Sequence, residues 1–161
     1  MGFYGHPDPT ERHEAWSLLR FLARLDPTPW MCLGDFNEIL HQSEKCGGNE
    51  KPRGLMEYFH DALEHCDLVD LGFRRPKFTW NNGREAEAFV QECLDRVVAN
   101  EGWRNFFPKA DILVEGTTTS DHLPIFVDLQ DGEILLKSKA NFKHEASWVL
   151  DGEYTKVVSR A

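Results

Sequence analysis

An α/β fold, a layered β-sandwich flanked by helices with mixed and mainly antiparallel sheets, is predicted by three observations. Two segments carry apolar residues at helical spacing, Trp16, Leu19, Leu22 and Ala23 in one and Leu55, Tyr58, Phe59, Ala62 and Leu63 in the other. Short apolar runs bounded by Gly, Pro, Asn and Asp stand between and after them. Closely spaced turn signals, Asn81-Asn82-Gly83 above all, suit hairpins between neighbouring strands.

In chain order, Met1 to Gly5 reads as the end of a strand, followed by a turn through His6-Pro7-Asp8-Pro9. Residues 11 to 25 form an amphipathic helix, with Thr10 and His13 at capping-box spacing. Asp26 to Pro29 ends it, and Trp30 to Leu33 is a short buried strand. His41 to Pro52 is a polar loop around Gly47-Gly48-Asn49, either a mobile surface loop or a substrate-facing one. A second helix ends near Cys66, and Asp67 to Leu71 is a short strand or turn. Lys77 to Trp80 is a strand, turned tightly at 81–83, and Phe89 to Ala99 is its partner. Glu101 to Phe107 makes one or two helical turns before Pro108; Ile112 to Val114 and Ile125 to Leu129 are further strands. Residues 1–130 therefore form one domain, and 131–161 a linker-like tail with a short helix near 151–160.

Composition narrows the function. The chain has 161 residues, 41% hydrophobic and 28% charged, which suits one globular domain. A net charge of -9 disfavours a nucleic-acid grip dominated by lysine and arginine, yet clustered acids are what a site for hard cations needs. Cys32, Cys46, Cys66 and Cys93 have no metal-ligand spacing, and without a signal-peptide pattern they read as reduced thiols, two or three of them buried. No apolar run reaches membrane-spanning length, so no membrane partner is expected.

Three stretches carry chemistry. In Gly34-Asp35-Phe36-Asn37, residues i and i+2 of an extended chain point the same way, so Asp35 and Asn37 would converge where Gly34 lets the chain turn. The same residue types also simply close turns. In Ser120-Asp121-His122, an acid and an imidazole precede an apolar strand, and alone this too is compatible with a surface turn. Asp95, within Leu94-Asp95-Arg96-Val97-Val98, is harder to dismiss, because a buried carboxylate costs several kcal/mol, on the order of a buried ion, unless paired. Its natural partner would be an imidazole such as His122; a carboxylate that orients a histidine and stabilises its protonated form is the logic of hydrolytic triads.

Gly34-Asp35-Phe36-Asn37, Leu94-Asp95-Arg96-Val97 and Ser120-Asp121-His122-Leu123-Pro124 resemble, in order, the motifs of the endonuclease/exonuclease/phosphatase superfamily. More narrowly, Phe3-Tyr4-Gly5-His6-Pro7, Gly34 to Leu40 and the tail Phe142-Lys143-His144-Glu145-Ala146-Ser147-Trp148 resemble the endonuclease region of plant LINE-type (non-LTR) retrotransposons. In such polyproteins the tail leads toward a reverse transcriptase, a partner in cis. The resemblance implies that Asp35 orients or deprotonates water, Asn37 contacts the scissile phosphate, Asp95 holds His122 and His122 faces the phosphate. It further implies a metal role for Asp121 toward Mg²⁺ or Mn²⁺, a place near the phosphate for Tyr4, and a DNA-facing role for Trp80. Phe78 falls at a similar place, with core packing as its other reading.

The resemblance also sets departures. The family's earlier strands, with an asparagine and the glutamate that is a principal metal ligand, have no counterpart here, and His6-Pro7-Asp8 replaces a family asparagine. The chain is thus expected to be an amino-terminally truncated, carboxy-terminal portion of that fold, binding Mg²⁺ weakly. Its expected function is a metal-dependent phosphodiester hydrolase, ancestrally a DNA-nicking endonuclease in an intracellular, nuclear setting, with activity impaired by the missing ligand. The alternatives are a non-catalytic remnant or binding module of the same fold, and a phosphatase of small phosphorylated substrates.

Overall fold

The computed structural model describes residues 1–25, 28–74, 76–116 and 120–129. The tail, 131–161, read from sequence as a linker with a short helix, lies outside the described residues. Strand β1 (Gly2–Tyr4) leads to helix α1 (Arg12–Leu25) and strand β2 (Met31–Asp35). Strand β3 (Lys45–Cys46), helix α2 (Arg53–His65) and strand β4 (Val69–Asp70) follow, then β5 (Trp80–Asn81), β6 (Gln91–Glu92) and β7 (Asp95–Ala99). Helix α3 (Glu101–Phe106) and strands β8 (Asp111–Val114) and β9 (Ile125–Asp128) complete the described chain.

The central sheet runs β1-β2-β7-β4, parallel between β1 and β2 and antiparallel elsewhere. A smaller antiparallel sheet runs β3-β6-β5, and β8 and β9 form a two-stranded ribbon whose β9 comes into contact with β7. The fold is the expected mixed, mainly antiparallel α/β arrangement.

The core forms where α1 and α2 turn their apolar faces onto one side of the central sheet. Helical spacing delivers Trp16 and Leu19 from α1 and Phe59, Ala62 and Leu63 from α2. Strand alternation delivers Phe3, Cys32 and Val98. Phe36, fully buried just after β2, joins the rings: it stacks on Phe3 at 4.7 Å, while Trp16 stacks on Phe59 at 4.6 Å. Because Phe3, Cys32 and Val98 face the helices, their neighbours Tyr4, Leu33, Asp35, Asp95 and Val97 face the other way. That face carries the chemistry. Cys32, Cys66 and Cys93 are buried free thiols and Cys46 an exposed one, as the cysteine pattern implied.

Several local expectations are corrected. Gly34 does not end β2 but lies inside it, at φ 142°, where a Cβ would stand 2.1 Å from the Phe3 carbonyl oxygen; its role is to let β1 approach. The Thr10 hydroxyl donates to Asp8 Oδ1 (2.8 Å) instead of forming a capping box with His13. Residues 41–52 are not simply loop: they contain a 3₁₀ turn, Gln42–Glu44, and β3, with Lys45 and Lys51 ion-paired to Glu92. Phe78 is only half-buried, under the Lys77 ammonium, and Thr79 takes the buried position instead.

The tight hairpin at 81–83 is also absent. β5 and β6 are joined by a longer connection through a 3₁₀ turn, Ala86–Ala88, because the Asn82 side chain accepts from Arg84 and Val90 and donates to the Ala88 carbonyl. Nor is Phe89 to Ala99 a single partner strand. It breaks after Glu92, where the chain leaves the small sheet and enters the central one, with Leu94 and Asp95 N–H captured by the Thr79 hydroxyl (3.0 and 2.9 Å).

Phe36→Ala is expected to cost about 3–5 kcal/mol, since it removes a fully buried ring from a four-ring stack. Urea unfolding of the two chains measures it.

Candidate active site

The register of the central sheet sets out the site. Tyr4 pairs with Asp35 across β1 and β2, and Asp35 pairs with Asp95 across β2 and β7, giving a row on the face turned from the helices. Directly opposed carboxylates repel, so this row needs a cation or a proton between them. His122 supplies it. Its Nδ1 lies 2.8 Å from Asp95 Oδ2, and its Nε2 lies 4.0 Å from Asp35 Oδ2.

Backbone contacts bring His122 there from far along the chain. Leu123 N–H donates to the Thr79 carbonyl (2.8 Å), Asn81 N–H donates to the Asp121 carbonyl (3.0 Å), and Trp80 and His122 form an isolated bridge. His122 N–H in turn donates to the Ser120 hydroxyl at 3.1 Å. Thr79 therefore fixes both partners: its carbonyl anchors the His122 segment and its buried hydroxyl anchors the start of β7. Sequence reading missed Thr79, and only its place in the run Lys77 to Trp80 could have pointed to it.

Asp35 and Asn37 do converge, but not by extended geometry. Asn37 has φ 56°, a left-handed conformation that asparagine tolerates, and so folds back on Asp35. Its backbone N–H donates to Asp35 Oδ1 (2.7 Å), and its side-chain Nδ2 donates to Asp35 Oδ2 (2.9 Å) and the Gly5 carbonyl (2.8 Å). The same turn brings Gly5 so close that a Cβ there would lie 2.2 Å from the Phe36 carbonyl oxygen. Gly5 is a second residue that sequence reading did not single out.

Electrostatics follow from this packing. Burial, aided by the neighbouring Asp95 charge, raises the Asp35 carboxyl above its ordinary 3.8, against the hydrogen bond from Asn37. The hydrogen bond to Asp95 raises the His122 imidazole above its ordinary 6.5, against burial, with Asp35 adding to the rise. The site thus favours an imidazolium beside a carboxylate that is a stronger base than an exposed aspartate.

The remaining expected residues sit at the rim. Trp80 donates its indole N–H to Asp121 Oδ2 (3.1 Å), which lowers the Asp121 carboxyl, and its ring centroid is 6.5 Å from that of His122. Tyr4 is 68% exposed, free to meet a ligand over Asp35. The structure therefore gathers Asp35, Asn37, Asp95 and His122 closely, with Tyr4, Trp80 and Asp121 around them. A metal cage does not form: among the described residues no three His, Cys, Asp or Glu side chains are grouped to hold an ion. Asp35 uses both oxygens on Asn37, and Asp121 uses one on Trp80. These residues by themselves do not fit a resident divalent cation.

Asp95→Asn is expected to return the His122 pKa toward 6.5, read by NMR titration of the imidazole. A raised folded pKa stabilises the fold below the unfolded value and loses that contribution as pH rises through the folded value. The variant should therefore lose most stability, relative to the parent, on the acid side of neutrality. Thr79→Val leaves two buried N–H groups without an acceptor and should cost about 2 kcal/mol or more by thermal unfolding.

Among the described residues no helix is long and apolar enough to cross a membrane. No curated protein matches the chain. The family model of the endonuclease/exonuclease/phosphatase family matches residues 1–122, a span that runs from β1 to His122 and takes in every residue of the site. The chain therefore belongs to the endonuclease/exonuclease/phosphatase family.

Proposed function

We propose that the site hydrolyses a phosphodiester, with DNA as substrate. The observation that carries the reading is the Asp95–His122–Asp35 row, in which one imidazole lies between two carboxylates at 2.8 and 4.0 Å. Asp35, raised as a base by burial, orients and takes a proton from the attacking water. His122, kept protonated by Asp95, donates a hydrogen bond to a phosphate oxygen as its charge grows. Asn37 holds the Asp35 carboxylate in place, and Tyr4 and Trp80 line the approach.

Members of the family typically use divalent metal ions. The described residues do not assemble such a site, so the steps above are those of the chain's own groups. The plant LINE-type resemblance of Phe3 to Pro7 and Gly34 to Leu40 supports DNA over a small phosphorylated substrate, a nuclear setting and a reverse transcriptase in cis. A second reading, a non-catalytic binding module of the same fold, is favoured by one observation, the lack of a metal cluster among the described residues.

Nicking of supercoiled plasmid, with Mg²⁺ or Mn²⁺ supplied, separates the two. The parent chain should nick, and Asp35→Ala and His122→Ala should each lower the rate by at least about a hundredfold, the low end of general acid–base catalysis. Equal background from all three establishes the binding module. The rate should describe a bell against pH. Its acid limb reports Asp35 deprotonating above the ordinary 3.8, and its alkaline limb reports His122 losing its proton above 6.5.

A further inference from the structure

A buried guanidinium on the helical side of the molecule reaches the same turn that shapes the site. Arg12, in the first turn of α1, is 6% exposed, and its side-chain hydrogen bonds lead to the two loops beside Asp35. Its Nε donates to the His6 carbonyl (3.0 Å) and its Nη2 to the Pro7 carbonyl (2.9 Å), both in the loop after β1. Its Nη1 donates to Glu38 Oε2 (2.5 Å), in the loop after β2. Glu38, 1% exposed, follows Asn37 directly, and its other oxygen accepts from Ile39 N–H (3.0 Å) and faces Lys51 Nζ at 3.4 Å. The same two loops meet again at the Asn37 side chain, which donates to the Gly5 carbonyl.

We infer that Arg12 is a positioning residue: with Glu38 it clamps the loops after β1 and β2 together, holding Asn37 in its left-handed turn and so fixing the Asp35 carboxylate toward His122. The inference deepens the hydrolytic reading and rests on it for its catalytic consequence alone. A planar fork is what this place requires, because three acceptors in two loops are met at once by donors in a fixed geometry. Asn37 at φ 56° occupies a region that non-glycine residues adopt only when held there, and its bonds to Asp35 and Gly5 act together with the flanking residues to hold it. Glu38 is the flanking residue with no freedom, buried and bonded on both oxygens.

Lysine at position 12 keeps the charge and loses the fork, which separates clamping from the through-space effect of Arg12 on Asp35. In Arg12→Lys, hydrogen exchange of the Asn37 amide, now bonded to Asp35, should quicken about tenfold or more relative to amides in the middle of α2. The nicking rate should fall about tenfold with plasmid affinity unchanged, as for an interaction felt in the transition state. Should Arg12→Lys fail to fold, Arg12→Met/Glu38→Met removes both charges together and leaves neither buried alone, and the same exchange is read. Unchanged Asn37 protection in a folded variant, whether its melting temperature drops or not, overturns the clamp. If the parent chain does not nick, the hydrolytic reading falls, and the Asn37 exchange still decides the clamp by itself.

Discussion

Two carboxylates set directly opposite each other on neighbouring strands are the constraint from which the site follows. The antiparallel register of β2 and β7 places Asp35 against Asp95, and nothing in the sheet itself relieves their repulsion. An imidazole between them does. His122 reaches that position on a segment stitched to Thr79 and Asn81.

Charge is buried elsewhere too, in pairs. Arg96, in β7 beside Asp95, is almost wholly enclosed and meets Glu44 and Asp70. Glu92 meets Lys45 and Lys51; burial would raise its carboxyl, and the hydrogen bonds from the two lysines overcome that and hold it below the usual range. Such pairs add little net stability compared with apolar packing, but breaking one strands its partner in a low-dielectric place. Their value is in register: Glu44–Arg96–Asp70 ties a loop and β4 to β7, and Lys45–Glu92 aligns β3 with β6. Of these charges, the Arg96 guanidinium lies over the Phe59 ring of the aromatic stack, 5.8 Å from its centroid.

The helices and the buried strands were legible because their periods, 3.6 and 2, are local properties of the chain. Trp16, Leu19, Phe59 and Leu63 lie where their spacing put them, and Cys32 and Val98 face the core as alternation requires. The pairing of Asp95 with His122 was legible for another reason. A carboxylate in an apolar run needs a partner, and the Ser120-Asp121-His122 motif offered an imidazole for it. The connection from β5 to β6 was not legible, since Asn81-Asn82-Gly83 has the composition of a tight turn and the Asn82 side chain builds a wider one. Gly34 misled in the same way, as a glycine marks a turn and a close approach alike, and only the position of the Phe3 carbonyl distinguishes them.

By itself the sequence determined the family and named the side chains of the candidate site, because its ordered motifs are read along the chain without knowledge of distance. The tertiary structure alone decided how those groups are held. Asn37 adopts a left-handed turn rather than an extended one, Thr79 anchors both ends of the Asp95–His122 pair, and Arg12 joins two loops from the far side of the sheet. These depend on distances between residues remote in the chain, and no local pattern encodes a distance.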